Sequence, residues 1–418
     1  MIRPSKVTIV ARSVFPIHGA GGLERSVHDL ARHLADRDVN VTIVTRTPRH
    51  LPSVGAVHSR VSFRFVPYRT FPFAGRRGTT VIDRSTAYPL FGMRAGRLAA
   101  EIVAREQAEI VHGFGASVLG YARRRQSLPA PLVLNPQGLE EFGATDPSRA
   151  GLKRLAYLPL RKAVIACARR ADAVIATDRA LEPAVRTHLG IPAEKIRTIP
   201  NGLDLAQVDR LASLEDGIRM RYAAGVAEGE VLLLSVGRLE ENKGFHVLAA
   251  ALGALKEHSG RLARERWRWV IAGSGPFRGR LERAIAAAGI GEHVHFAGRI
   301  DDRNLHAWYE AADLFVHPTL YEGSSLVTLE AMAHRRACVV TRAGGLPDKV
   351  KNGINGWIVE PGDPSALAAA ISGALDDRMR LIEMGHAGRS LVEREFSWST
   401  LVERTLDLYA ELLARGGR

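Results

Sequence analysis

Cysteine is scarce and long apolar runs are missing from this chain of 418 residues. Its two cysteines, Cys167 and Cys338, are too few for a disulfide framework, which favours a reducing cytoplasm. No run reaches the ~18 apolar residues of a membrane span, and the N-terminus is typical of a first strand rather than a signal peptide. No clustered Cys/His pattern indicates a zinc site. With 24% charged residues, the chain is expected to be globular and to form two or three domains.

Positive charge is concentrated in the first half of the chain. The net charge is +14, and residues 1–204 contain 31 basic but only 16 acidic side chains, so the remainder is close to neutral. A basic half beside a neutral half indicates that one domain meets an anionic partner, such as a lipid surface, a phosphorylated acceptor or a nucleic acid.

Short apolar runs alternate with amphipathic stretches along the whole chain. KVTIVA and ADAVIAT in the first half, and VLLLSVG and ACVVTR in the second, are apolar on both faces. Such strands, separated by helices, predict parallel sheets covered on both sides. We therefore predict an α/β fold of two doubly wound, Rossmann-like domains over residues 1–205 and 206–395, with a last helix over 396–418 that packs back on the first. Two such domains would face a central cleft, where ligands bind at the carboxyl ends of the strands.

The loop after the first strand is rich in glycine. Gly21 and Gly22 precede Glu24 in the segment HGAGGLERS. The segment is not the dinucleotide fingerprint, because Glu24 occupies the last glycine position, and no Gly-Lys-Ser/Thr of a Walker loop follows. A phosphate cradle and an ordinary tight turn before a helix explain it equally well.

Two cations follow the first strand of the second domain. Arg238 and Lys243, in SVGRLEENKG, precede a helix whose N-terminus favours anions, so their position there is a local inconsistency. A bound diphosphate would resolve it, since a cation ~4 Å from a phosphate oxygen contributes roughly 4 kcal/mol at an effective dielectric constant of 20. The competing interpretation pairs both cations with Glu240 and Glu241 at the surface.

Two carboxylates follow a later strand of the same domain. In HPTLYEGSSLVTLEAMA, Glu322 is predicted in a loop and Glu330 in the helix that Ser324 or Ser325 would cap. Carboxylates bind sugar hydroxyls well, because each oxygen accepts hydrogen bonds. The alternative for Glu330 is an ordinary surface position on its helix.

Together these segments resemble the family 4 retaining glycosyltransferases, which have the GT-B fold. The residues that carry the resemblance are SVGRLEENKG, VIAGSGP, the pair Glu322 and Glu330 eight positions apart, and AGGLPD with NGINGWIVEPGD. The similarity covers essentially the whole second domain. The first domain matches mainly at GGLE, after its first strand, and at IPNGLD, near the boundary.

The resemblance implies a metal-independent enzyme without a cofactor. It would transfer a sugar from a UDP- or GDP-sugar to a hydroxyl of a glycan or lipid-linked acceptor, in cell-envelope or polysaccharide synthesis. Arg238 and Lys243 would neutralise the diphosphate, Glu330 would bind the ribose, and Gly21 and Gly22 would approach the donor from the first domain. The loop that would hold the donor sugar consists of Glu322, Gly323, Ser324, Ser325 and Leu326. The catalytic group implied is Arg238, Lys243, Glu322 and His112.

The sequence departs from the family pattern at two places in the pocket. Ser324 and Ser325 stand where a Phe-Gly pair is common, which predicts a differently shaped sugar pocket. VHGFG keeps His112 but has Phe114 where many members carry a second histidine. His112 is therefore either a contact to the transferred sugar or acceptor, or a packed histidine at a strand end.

The acceptor side is expected in the basic first domain. Candidate acceptor contacts are Glu24, and Gln137 and Glu140 in LNPQGLEEF. The pairs Lys153-Arg154, Arg161-Lys162 and Arg169-Arg170 recur every eight residues among apolar side chains, which indicates peripheral binding to an anionic membrane surface. The alternative is a core helix with a solvated face, and Pro159 would break a single long helix.

Two other functions fit parts of the pattern. A nucleotide-sugar epimerase of the same fold would use the diphosphate clamp without needing an acceptor site. A nucleic-acid-binding protein would use the basic half, but the sequence shows no helix-turn-helix, zinc-finger or ribonucleoprotein motif, so no nucleic-acid partner is expected.

Overall fold

The computed structural model describes residues 3–19, 21–48, 57–69, 79–136, 139, 142, 155–227, 229–257 and 266–416. The chain divides into two compact units. Unit 1 comprises Met1–Asn201 and Trp398–Arg418, and unit 2 comprises Gly202–Ser397. The division therefore falls a few residues before the boundary placed from the sequence, and the last helix belongs to unit 1.

Unit 1 is built on a parallel sheet with the strand order β3-β2-β1-β4-β5-β6-β7. Its strands are β1 Lys6–Val10, β2 Asn40–Arg46, β3 Val61–Val66, β4 Ile110–Phe114, β5 Leu132–Asn135, β6 Ala173–Ala176 and β7 Ile196–Thr198. β4, β5 and β6 are buried along their whole length, as expected for strands covered on both faces. The edge strand β3 is mostly exposed or half-buried.

Helices cover both faces of this sheet. They are α1 Gly22–Ala35, α2 Thr79–Glu106, α3 Leu119–Ala122, α4 Leu158–Arg170, α5 Glu182–Leu189 and α15 Trp398–Gly416. Apolar residues of α1 and α15 form one core cluster with the strands, and those of α2, α3, α4 and α5 form the other. The C-terminal helix therefore completes the core of unit 1.

Unit 2 repeats this plan with the strand order β10-β9-β8-β11-β12-β13. Its strands are β8 Val231–Val236, β9 Trp267–Ala272, β10 Val294–Gly298, β11 Leu314–His317, β12 Ala337–Thr341 and β13 Gly356–Val359. Its helices are α6 Leu205–Leu211, α7 Leu214–Ala223, α8 Phe245–Glu257, α9 Arg278–Ala287, α10 Asp302–Ala311, α11 Leu326–Ala333, α12 Leu346–Lys349, α13 Pro364–Asp376 and α14 Arg378–Leu391. Two apolar clusters again fill the two faces of the sheet.

The strand order reverses once in each sheet, between β1 and β4 in unit 1 and between β8 and β11 in unit 2. Ligands of open parallel sheets bind outside the carboxyl ends of the strands at such switch points. Cys167 and Cys338 lie in different units as buried free thiols. Within the described ranges, no helix is long and apolar enough to cross a membrane.

Candidate functional site

Two loops of unit 2 are tied together at its switch point. The loop after β8 carries Lys243, and the loop after β11 carries Glu322. Gly244, next to Lys243 in the first of these loops, has φ +67°, and a Cβ there would meet the carbonyl oxygen of Pro318, in the second loop, at 2.0 Å. The Asn242 carbonyl accepts the Leu320 N–H at 2.8 Å. Only glycine allows this approach, so the backbone itself brings the Lys243 loop to the Glu322 loop.

Lys243, Glu322 and His317 meet at one carboxylate oxygen. The Lys243 ammonium donates to Glu322 Oε2 at 2.8 Å, and His317 Nε2 lies 2.8 Å from the same oxygen. His317 is the last residue of β11 and is fully buried. An ionised carboxylate only accepts hydrogen bonds, so His317 Nε2 carries the proton. Its Nδ1 is buried and has no hydrogen-bond partner among the described residues.

The charges of this group follow from its environment. Burial alone would raise the pKa of Glu322, but the His317 hydrogen bond and the Lys243 charge outweigh it and hold that pKa well below its usual value. Burial lowers the pKa of His317 although Glu322 lies beside it. Glu322 is therefore a carboxylate and His317 is neutral near pH 7, and Lys243 sits against a single negative charge.

Arg238 extends from the same loop as Lys243 but is largely exposed. Its side chain is 75% exposed, and its guanidinium pairs with Glu240 at 2.5 Å. The surface pairing considered from the sequence therefore exists for Arg238, whereas Lys243 pairs with Glu322 and not with Glu241. Ion pairs this exposed contribute little to stability, so an arriving anion can replace Glu240 as the partner of Arg238 at a small cost in free energy.

Glu330 is held by a tyrosine from a neighbouring helix. Ser325 caps α11 by accepting the Thr328 N–H at 3.3 Å, which places Glu330 in the second turn. The hydroxyl of Tyr309, on α10, donates to Glu330 Oε2 at 2.8 Å. Tyr309 is fully buried, so it fixes the direction of the Glu330 carboxylate.

The loop between Glu322 and α11 is packed against the glycine loop that follows β12. Gly344 has φ +50°, and a Cβ there would meet the Glu322 carbonyl oxygen at 1.7 Å. Next to it the Gly345 N–H donates to the Gly323 carbonyl at 2.9 Å. The buried Lys349 ammonium donates to the Ser324 hydroxyl at 3.3 Å. These contacts set the shape of the Gly323–Leu326 segment.

The remaining predicted site residues belong to unit 1. Gly21 is the N-cap of α1 and Gly22 its first residue. Glu24, half-buried, accepts a hydrogen bond from the Ser13 hydroxyl at 2.9 Å. Gln137 and Glu140 lie outside the described residues.

His112 lies inside unit 1, beneath the C-terminal helix. It is buried in β4, and its Nδ1 lies 2.6 Å from the hydroxyl of Tyr409 on α15. Its ring stacks on Phe114 with the ring centroids 5.0 Å apart. Burial lowers the pKa of His112 to about 3. This is the environment of a packed neutral histidine, and a contact to the sugar or acceptor stays a prediction.

Sequence reasoning missed three residues of the unit 2 site: His317, Tyr309 and Lys349. His317 had a readable signal, since it ends a buried strand directly before Pro318, at the edge where ligands bind. Tyr309 and Lys349 reach the site from separate helices, and nothing in the sequence around them indicates it.

Comparison with known proteins identifies the family. The model of "Glycosyl transferases group 1" matches residues 219–391, and that of "Glycosyltransferase Family 4" matches residues 20–207. The D-inositol 3-phosphate glycosyltransferase 1 of Catenulispora acidiphila is 30% identical over 412 residues, covering 96% of this chain and 92% of that protein. The chain belongs to the group 1 glycosyltransferases of family 4. The predicted enzyme class, glycosyltransferase, is therefore confirmed.

Solved structures agree with this glycosyltransferase in fold. The sucrose-phosphate synthase of Thermosynechococcus elongatus matches with a TM-score of 0.77 and 23% identity, covering 98% of this chain and all of that one. Anabaena Alr3699/HepE in complex with UDP-glucose matches with a TM-score of 0.67 and 19% identity, covering 98% of this chain and 99% of that one. The predicted GT-B fold is confirmed.

Proposed function

We propose that this glycosyltransferase takes its sugar from a UDP- or GDP-sugar whose diphosphate binds Lys243 and Arg238 at the switch point of unit 2. The observation that carries the proposal is the Lys243–Glu322–His317 group, because it places an ammonium, held by buried partners, where open sheets bind ligands. The similar Anabaena protein was solved in complex with UDP-glucose, which supports a donor of this class.

The diphosphate and Glu322 share Lys243. The ammonium has three N–H donors, and Glu322 takes one of them. A phosphate oxygen can therefore accept another while Glu322 keeps its bonds from His317 and the Gly323 N–H. Glu322 then remains ionised and oriented beside the donor sugar, and Glu330, directed by Tyr309, grips the ribose hydroxyls.

Transfer is proposed to proceed with retention of the anomeric configuration. The bond between the anomeric carbon and the β-phosphate oxygen breaks, and the acceptor oxygen forms its bond on the same face. The departing phosphate takes the acceptor hydroxyl proton. Lys243 and Arg238 stabilise the negative charge that develops on the diphosphate, so no metal ion or other cofactor is needed for this role. Activity unchanged by a chelator is expected.

We place the acceptor, a glycan or lipid-linked hydroxyl of cell-envelope or polysaccharide synthesis, at a membrane surface. The support is one face of the segment that ends in α4, where exposed Leu155 and Leu158 lie seven and four residues before exposed Lys162. Apolar side chains beside cations favour binding in the interface of an anionic leaflet. Lys153-Arg154 lies outside the described residues.

Sedimentation with vesicles tests the membrane part of the proposal. The chain should pellet with phosphatidylglycerol vesicles and not with phosphatidylcholine vesicles. Replacing Leu155 and Leu158 by Glu should abolish pelleting. Leu214→Glu, which alters a leucine of unit 2 about as exposed as Leu155, should not. Equal behaviour of all three proteins would exclude this face as the contact.

Nucleotide release tests the reaction. A panel of UDP- and GDP-sugars is first screened by thermal shift, since a ligand at 100 times its Kd stabilises the native state by about 2.7 kcal/mol. Release of nucleotide from the selected donor is then followed with and without candidate acceptors. Acceptor-dependent release supports transfer, whereas conversion of the sugar without an acceptor would indicate an epimerase. Arg238→Ala should reduce turnover severely without unfolding the chain.

A further inference from the structure

We propose that the switch point of unit 1 is a binding subsite for an oxyanion of the acceptor, with Arg12 as its principal ligand. The occupant is a phosphate or a carboxylate carried by the acceptor molecule. This inference rests on the proposed function, because it assumes that unit 1 receives the acceptor.

The position of Arg12 in the fold is the first argument. Arg12 lies two residues after the end of β1, and its guanidinium lies over the Tyr88 ring, 4.9 Å from the centroid. The Tyr88 hydroxyl donates to the carbonyl of Phe114, the last residue of β4, at 3.0 Å. Arg12 therefore lies by the carboxyl ends of β1 and β4, which are the two strands between which the order reverses. This is the counterpart of the place that Lys243 and Glu322 occupy in unit 2.

A second guanidinium lies near Tyr68, whose hydroxyl contacts Arg12. The Tyr68 hydroxyl contacts the Arg12 guanidinium and donates its own proton to Asp83 at 3.1 Å. Arg46, the last residue of β2, lies over the face of the same ring, 5.9 Å from the centroid. Two positive charges therefore surround one phenol ring, with Asp83 as the carboxylate bonded to that phenol.

The charges and geometry of Arg12 suit an incoming anion. Among the described residues, no carboxylate lies within ion-pair distance of the Arg12 guanidinium. Glu24, in the helix that follows this loop, is bonded to Ser13. A guanidinium stacked on a ring presents its N–H groups edge-on, as a fork that matches two oxygens of a phosphate or carboxylate.

Titration calorimetry on the full-length protein tests the subsite. The probes are inorganic phosphate, D-inositol 3-phosphate, inositol and glucuronate. Because phosphate can also meet Lys243, each titration is repeated in the Lys243→Met background. Arg12→Gln is compared with Arg12→Lys and with Arg124→Gln. Arg124 is an exposed arginine that precedes β5 and so lies at the amino ends of the strands, opposite Arg12.

Arg12→Gln should weaken binding of a phosphate or carboxylate probe by about 10- to 100-fold, in both backgrounds. Arg12→Lys should fall between it and the unaltered protein, because an ammonium cannot form the fork. Arg124→Gln should bind the anion probes with unchanged affinity. Inositol, which carries no anion, should not bind. Tighter binding of D-inositol 3-phosphate than glucuronate identifies a phosphate as the occupant, and the reverse order a carboxylate.

The proposal is overturned if the unaltered protein binds neither anion saturably, or if Arg12→Gln and Arg124→Gln behave alike. UDP binding to Arg12→Gln is measured as well. Because UDP is assigned to unit 2, this measurement separates a failure of the subsite from a failure of the proposed function. Arg12-dependent anion binding in a protein that does not bind UDP or GDP would contradict the donor assignment alone. Normal UDP binding with no Arg12-dependent anion binding would contradict the subsite alone.

Discussion

Replacing His112 by Phe should change how the stability of unit 1 depends on pH. The pKa of His112 is about 3 in the folded chain, against 6.5 for an exposed histidine, because burial excludes the charged form. The unfolded chain therefore takes up this proton first, so protonation favours unfolding as the pH falls below about 6.5. pH 5 lies 1.5 units below the pKa of the unfolded chain, which corresponds to a loss of about 2 kcal/mol in the free energy of unfolding. This loss disappears when the histidine is removed.

Thermal unfolding between pH 5 and pH 7.5 measures this effect. At pH 7.5 His112→Phe should be the less stable protein, because the Tyr409 hydroxyl loses its partner at every pH. At pH 5 the difference in the free energy of unfolding between the unaltered protein and His112→Phe should be smaller by about 2 kcal/mol, or roughly 4–8 °C in Tm for a unit of this size. Tyr409→Phe is the control, since it removes the hydrogen bond but leaves the histidine buried, and its pH dependence should match that of the unaltered protein. A gap that does not change with pH would refute the reasoning and show that His112 takes up its proton in the folded state.

Three substitutions test how the unit 2 site is held. Gly344→Ala should destabilise the chain by more than about 2 kcal/mol in chemical denaturation, because a Cβ at this left-handed position meets the Glu322 carbonyl; near-normal stability would contradict the close packing. Ser325→Ala should cost about 1 kcal/mol in the same assay through loss of the α11 cap, with Ser325→Asn as the rescuing variant. Tyr309→Phe should raise the KM for the donor about tenfold with little change in kcat, because Glu330 loses the bond that directs it. An unchanged KM, or an equal effect on a 2′-deoxyribose donor, would show that Tyr309 does not act through the ribose.

The sheets were predictable because their signal is local. Strands such as β4, β8 and β12 are apolar on both faces, and only parallel sheets under two layers of helices bury such strands completely. β3 and β7 were not recognised. β3 alternates at an edge of the sheet and β7 has three half-buried residues, so neither presents a continuous apolar run.

The site was predictable as a set of residues but not as a set of contacts. The motifs select Arg238, Lys243, Glu322 and Glu330 because each lies in a loop or first turns after a strand. Which cation pairs with which carboxylate depends on the backbone approach at Gly244, a contact across 74 residues that no local pattern contains. The competing surface interpretation therefore applied to Arg238 and failed for Lys243.

Binding of UDP and GDP to the Lys243→Met variant is the most direct test of the central claim, that a nucleoside diphosphate docks on unit 2 through Lys243. The exposed Lys351→Met, which lies in the loop after α12 of the same unit, is the matched control. Calorimetry should show saturable binding of one of the nucleotides to the unaltered protein and to Lys351→Met. Lys243→Met should bind it about 10- to 100-fold more weakly. Equal affinity of Lys243→Met and Lys351→Met would contradict the account.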